Sequence, residues 1–229
     1  MQDAWEDFQS VASAAIDPLW YNFAEHGREG EVFSPMAKYP RASAWLADSM
    51  SLSDNYITRK LGAMLAGWII DAPHAGLLAA MLDRERKTFA DDSLTANSVG
   101  EDIMFAATRW AWSDNAQIKE AGIQTLARMI WDALDGTPWN TANWAVANLR
   151  RATGGNHPIF AELLTATDEQ LKGQQSLQKV VNAWKLNDEQ KLKKSVTPPS
   201  EAGDLSPADP SYSMVCSLWN AAAAAEKSL

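Results

Sequence analysis

Apolar residues recur at helical spacing along most of this chain, and that period constrains the fold more than any other feature. The clearest run follows one helix face: Ile57, Leu61, Met64, Leu65, Trp68 and Ile69. These steps match a period of 3.6 residues. No stretch alternates apolar and polar residues as a half-buried strand would. The pattern therefore predicts an all-α protein.

The helical runs come in pairs, each with a short break between its two helices. The breaks are Asp71-Ala72-Pro73, Ser113-Asp114-Asn115 and Gly154 to Pro158. Small residues at the centres of the first helices, Ala63, Ala106 and Ala147, are 43 and 41 residues apart. Helical repeats with two helices per unit have such periods. The spacing predicts a right-handed α-solenoid of antiparallel helix pairs, with an irregular helical bundle as the alternative.

The same signals divide the chain into predicted segments. We expect a helical-repeat domain over 1–196, made of an N-terminal cap (1–56), the repeats (57–167) and a long terminal helix (168–196), then a Pro-rich linker (197–211) and a C-terminal helix (212–229).

The net charge of −9 narrows the kinds of partner that the chain can bind. Residues 1–56 hold nine acidic and three basic residues, so most of the excess lies there. A field of this sign repels nucleic acid and anionic lipid, and it suits a basic protein partner. Solubility alone is the other explanation. The eleven tryptophans predict a large aromatic share of the core.

The single cysteine, Cys216, excludes an internal disulfide and a cysteine metal cluster. Its apolar neighbours predict a buried, inert thiol rather than a nucleophile. The N-terminus lacks the pattern of a signal peptide, and the most apolar stretch, 61–72, is too short to span a bilayer. These features predict a cytoplasmic protein without a metal or a cofactor.

The loop that holds Trp139, Asn140 and Asn143 is the first candidate binding site. Tryptophan is enriched among interface hot spots, and asparagine supplies neutral hydrogen-bonding groups. We therefore expect Trp139 either to be exposed, as an anchor for a binding partner, or to cover the junction between two helices.

Four carboxylates around another loop form the second candidate: Asp91, Asp92, Glu101 and Asp102. They lie near predicted helix starts, where acids cap the helix and offset its dipole. They could also face a basic partner. General acid–base chemistry is less favoured, because adjacent carboxylates on a turn do not converge on a substrate. The three histidines lack the spacing of metal ligands.

From Ile57 to about Leu164 the chain resembles HEAT-like repeats. The resemblance rests on the helix pairs, the period near 42 and the small–large apolar pattern of residues 61–68. It implies a binding scaffold, and small acidic members include bacterial immunity proteins that neutralise a toxin. We therefore expect a non-catalytic inhibitor that binds a basic toxin. The alternatives are an adaptor that self-associates through the C-terminal helix, or a nucleic-acid-processing enzyme.

Overall fold

A computed structural model describes residues 2–137, 139–185 and 203–228, and in those ranges the fold is all-α without strands. This confirms the prediction of an all-α protein. The eleven α-helices found there are α1 (Gln2–Asn22), α2 (Glu29–Met36), α3 (Pro40–Ser51), α4 (Tyr56–Ala66), α5 (Leu77–Thr88), α6 (Ser93–Ala111), α7 (Ala116–Leu134), α8 (Ala142–Thr153), α9 (Ile159–Thr165), α10 (Gln175–Lys185) and α11 (Tyr212–Lys227).

These helices divide into two compact units. The outer unit contains the described residues up to Leu77 together with those from Gly203 onward. The inner unit runs from Leu78 to Lys185. The first and last described residues therefore lie in the same unit, and the inner unit is an insertion along the sequence.

In the outer unit, the first and last described helices pack against each other, and α11 also contacts α2 and α3. The buried face of α11 carries Val215, Leu218, Ala222 and Ala225. Pairing between helices so far apart in sequence is typical of a bundle, since a solenoid pairs neighbouring repeats. This unit therefore matches the alternative prediction, an irregular helical bundle, rather than the α-solenoid.

Polar contacts reinforce the attachment of the C-terminal segment within the outer unit. They include the ion pairs Arg28–Asp209 at 2.9 Å and Arg41–Glu226 at 3.1 Å, and the hydrogen bond that Trp219 Nε1 donates to the Val32 carbonyl at 2.9 Å. The predicted helix at 212–229 is present as α11. The chain divides differently from the prediction, because this helix and the N-terminal segment belong to one compact unit.

In the inner unit, the most extensive packing joins neighbours in sequence, α6 with α7 and α7 with α8, and α8 also contacts α6 and α10. The predicted break at 113–115 is confirmed, because Asn115 caps α7 through its side-chain oxygen. The long helix expected over 168–196 is observed only as α10, and 168–174 form turns and a short loop. Residues 186–202 lie outside the described ranges.

Candidate functional site

The loop between α7 and α8 carries the first candidate site. Helix α7 ends at Leu134, and Gly136 follows with a φ of 101°. That left-handed conformation favours glycine, which explains why the Asp135-Gly136 pair ends the helix. The Thr137 N–H donates to the Asp132 carbonyl at 2.8 Å. The chain is thereby turned toward α8.

Trp139 in this loop is buried, with only 3% of its surface exposed. Its ring meets Phe89 edge to face, with centroids 5.3 Å apart. Its other close neighbour is Gly100 of α6, where an added Cβ would lie 2.8 Å from the indole. Trp139 is therefore not an exposed anchor. It covers the helix junction, because the missing side chain at Gly100 leaves room for the ring.

A cleft of about 430 Å³ adjoins this loop, and we call it the Trp139 cleft. Its lining side chains are mostly amides, hydroxyls and apolar groups: Phe89, Ser93, Leu94, Asn97, Trp139, Asn140, Ala142, Asn143, Gln174, Gln175, Ser176 and Leu177. None of the described residues that line it is ionisable. The structure thus brings together the three predicted residues, although only Trp139 and Asn140 lie in the loop and Asn143 lies in the first turn of α8.

Two buried polar atoms of the lining residues have no hydrogen-bond partner, namely Trp139 Nε1 and Asn143 Oδ1. A buried donor or acceptor left unpaired costs about 1–3 kcal/mol. Two other side-chain amides of the lining are paired: Asn97 Oδ1 accepts from the Asn140 N–H at 2.8 Å, and Gln174 Nε2 donates to the Ala133 carbonyl. The cleft therefore holds unused, uncharged hydrogen-bonding capacity.

The four predicted carboxylates do not line this cleft. Asp92 caps α6 by accepting from the Thr95 N–H at 3.1 Å, as the capping interpretation expects. Asp91 and Glu101 are exposed, whereas Asp102 is largely buried. The structure does not gather the four into one site, and their contact with a basic partner stays a prediction.

Sequence reasoning missed a second feature of the inner unit, an exposed tryptophan on α7. Trp131 is 40% exposed, and the guanidinium groups of Arg86 and Arg128 lie 5.7 and 5.3 Å from its ring centroid. With the exposed carboxylates of Asp83 and Asp135, these residues form what we call the Trp131 face. The spacing Arg128-x-x-Trp131, one turn of helix, is the signal that could have found it.

A buried carboxylate holds the two arginines of this face. Asp132 is fully buried, and its Oδ1 lies 2.8 Å from Arg128 Nε and 3.5 Å from Arg86 Nε. The hydrogen bond to Asp132 raises the pKa of Arg128. Arg86 also pairs with Asp135 at 3.0 Å. Both cations are therefore fixed in position beside the indole.

The outer unit offers less chemistry. Cys216 is half-buried rather than fully buried, and its hydrogen bond with Tyr212 raises the pKa of that hydroxyl. His26 is exposed, and His74 Nδ1 lies 2.8 Å from Asp71 Oδ2. Over the described ranges, no three histidine, cysteine, aspartate or glutamate side chains are grouped so that they could hold a metal ion.

The part of the chain that the structure describes contains no helix with the length and apolarity needed to cross a membrane. Fold and site thus define an all-α protein with a neutral cleft and an exposed tryptophan–arginine face. Comparison with family models, curated proteins and solved structures finds no match to the chain.

Proposed function

We propose that this protein is a non-catalytic scaffold that binds another protein through the Trp131 face. The observation that carries the proposal is Trp131 itself, an indole 40% exposed and flanked by two guanidinium groups. Tryptophan and arginine dominate the residues that supply most of the binding energy at protein interfaces. Contact with a protein partner therefore stabilises a surface of this composition more than contact with solvent does.

The rigidity of the face supports the same proposal. Asp132 is buried and contacts both arginines, so neither guanidinium has to be ordered when a partner arrives. Ordering a long side chain on binding costs about 0.5–1.5 kcal/mol. A face that is already ordered avoids part of that loss.

Charge points to the class of partner. The chain carries −9, and the exposed carboxylates of Asp83 and Asp135 stand beside Trp131. A basic protein would be attracted to this surface. Within this class we favour a cytoplasmic inhibitor of the immunity type, which neutralises a basic toxin one to one. That narrower proposal rests on the resemblance of residues 57–164 to HEAT-like repeats, which is an argument by analogy.

The two alternatives lack a specific supporting observation. An adaptor that self-associates through its C-terminal helix would need the apolar face of α11, and that face packs on α1 within the same chain. A nucleic-acid-processing protein would need a basic surface. Arg86 and Arg128 are each paired with acidic residues.

The experiment is affinity capture by the full chain from cells that produce it, with two variants alongside. Trp131→Ala removes the exposed indole, and Tyr21→Ala is the matched control, because Tyr21 is 58% exposed on α1 in the outer unit. We expect one protein that the wild type and Tyr21→Ala retain and Trp131→Ala loses. Purified together, the two should form a one-to-one complex by light scattering, and salt should weaken it.

Different failures have different meanings. If Trp131→Ala retains the same partner as fully as the wild type, the Trp131 face is not the site. If the wild type retains only chaperones, the protein-binding function is wrong. If co-production with the partner does not relieve a growth defect, the toxin-inhibitor form is wrong and the scaffold function stands.

A further inference from the structure

We infer that the Trp139 cleft is a second binding site, and that its ligand is the main chain of an uncharged peptide segment. In the bound state the Trp139 indole N–H donates to a peptide carbonyl, and the Asn143 amide oxygen accepts from a peptide N–H. This site is separate from the Trp131 face and does not depend on the function proposed for that face.

The lack of charge in the lining limits what the cleft can bind. None of the described lining residues is ionisable, so the cleft offers no partner for a charged ligand. A charge moved from water into such a site loses hydration without compensation. Phosphates, nucleotides and charged side chains are therefore disfavoured. The volume of about 430 Å³ is in the usual range for ligand pockets.

The unpaired hydrogen-bonding atoms of the cleft limit its ligand further. The two unpaired atoms are one donor, Trp139 Nε1, and one acceptor, Asn143 Oδ1. Each residue of a peptide main chain offers one acceptor and one donor without net charge. A main-chain segment is therefore complementary to both atoms at once, whereas an apolar ligand would leave both unpaired.

A sugar is the other neutral ligand rich in hydrogen-bonding groups, and it binds to proteins differently from a peptide. A sugar ring gains affinity by stacking its C–H face on an open aromatic ring. The Trp139 ring is not open, because Phe89 and Gly100 cover it and only 3% of the residue is exposed. The cleft lacks a stacking surface at this ring, and the glycan test below covers the half-buried Phe89 ring, which also lines the cleft.

Both unpaired atoms are shielded from solvent, so the ligand must gain access to them. The terminal torsion of an asparagine side chain has a broad energy profile, and Asn143 lines the cleft. We expect its amide to turn toward the ligand on binding, and the Trp139 ring to shift so that its N–H reaches the same ligand. At the rim, Leu94 is 80% exposed and can contact an apolar side chain of the same segment.

The test begins with selection from a random-peptide library against the full chain. Selected peptides, capped at both ends, should lack charged residues in the segment that binds. Their affinity should fall about tenfold in Asn143→Leu, which corresponds to one lost hydrogen bond. A smaller loss is expected in Leu94→Ser, a change at a side chain that is 80% exposed and outside the core. Lys119→Gln, exposed and outside the lining, is the control and should bind normally.

A double-mutant cycle then tests main-chain recognition directly. One amide of the selected peptide is replaced by an ester, which removes a single main-chain N–H. At one position of the peptide, the ester should weaken binding to the wild type about tenfold and leave binding to Asn143→Leu nearly unchanged, because the acceptor is already gone. An equal loss in both proteins at every position would overturn the proposal.

Three other results would also overturn it. One is a selection that yields no peptide dependent on Asn143 or Leu94. Another is a set of peptides that bind only through charged side chains. The third is binding on a glycan array that Asn143→Leu abolishes, since the site would then take a sugar. In each case the Trp131 face is tested separately by its own capture experiment.

Discussion

Two tryptophans in different units show how differently this chain uses the same side chain. In the outer unit, Trp219 is half-buried and donates its N–H to the Val32 carbonyl at 2.9 Å. In the inner unit, Trp139 is nearly fully buried and its N–H has no partner. Buried polar groups in folded proteins are nearly always hydrogen-bonded, so the unpaired N–H of Trp139 is the informative case.

The surroundings of Trp219 and those of Trp139 have different roles. Around Trp219 the polar contacts, including Arg28–Asp209, attach the C-terminal segment to the N-terminal one. Few polar groups there lack a hydrogen-bond partner. Around Trp139 the helices pack closely, yet an indole N–H and an amide oxygen stay unpaired beside a cleft. The first arrangement stabilises the fold. The second retains capacity for a ligand at some loss of stability.

The largest expected effect is on the outer unit when the packing of α11 is weakened. Leu218 is fully buried on the face of α11 that packs in the outer unit, so Leu218→Ala should destabilise the protein by about 2–5 kcal/mol. Urea unfolding followed by circular dichroism measures the change. Leu52→Ala is the control, since Leu52 is 65% exposed. Equal losses in the two variants would mean that α11 is not held by its core contacts.

The next effect is on the inner unit, at the close contact behind Trp139. A Cβ at position 100 would lie 2.8 Å from the indole, so Gly100→Ala should cost about 1–3 kcal/mol and displace the ring. Gly76→Ala, where an added Cβ meets nothing within 4 Å, is the matched control. Thermal unfolding and the peptide selected for the cleft measure stability and site geometry. Unchanged values for both would show that the ring position is not set by Gly100.

Removing the indole donor of Trp219 should destabilise the outer unit. Trp219→Phe deletes the hydrogen bond to the Val32 carbonyl and some buried surface, with an expected loss of roughly 1–2 kcal/mol. Urea unfolding measures it, and peptide binding at the Trp139 cleft should not change. A loss of binding without a loss of stability would contradict the structural role assigned to Trp219.

The corresponding change in the inner unit should have the opposite sign. Asn143→Leu removes a buried oxygen without a partner and keeps a similar volume, so the free protein should gain about 1 kcal/mol. The same urea experiment measures the gain, while peptide binding should fall. A destabilised variant would show that the Asn143 amide contributes to the fold, and the contrast between the two regions would disappear.

The smallest effect is a pH dependence in the outer unit. Hydrogen bonds from Arg28 and from the Ser211 N–H lower the pKa of Asp209. Because the folded pKa lies below the unfolded value of about 3.9, the contribution of Asp209 is complete above that pH and is lost as the pH falls through the folded pKa. The difference in urea midpoint between wild type and Asp209→Asn should shrink below about pH 4. A difference independent of pH would assign the effect to another cause.

Much of the local structure could be predicted because local signals determine it. The break at 113–115, the stop at Asp135-Gly136 and the C-terminal helix at 212 all follow from capping, glycine and periodicity. One helix boundary differs from the predicted break at 71–73, because α4 already ends at Ala66.

The pairing of α1 with α11 could not be predicted, because an apolar helix face does not specify its partner. The period near 42 favoured neighbouring pairs, and in the outer unit the last helix packs on the first. At the site, Trp139, Asn140 and Asn143 were found from one loop. Asn97 and Gln174 were missed, because they come from other segments that only the tertiary fold brings to the cleft.

The return of α11 to α1 has a consequence for the order of events during synthesis. Ribosomes add about 5–20 residues per second, so α1 waits on the order of ten seconds or more before its partner helix exists. All the described helices of the inner unit are made in that interval and can fold first. Meanwhile the side of α1 that packs on α11 stays uncovered. Nascent chains of this protein should therefore be clients of chaperones until translation passes α11.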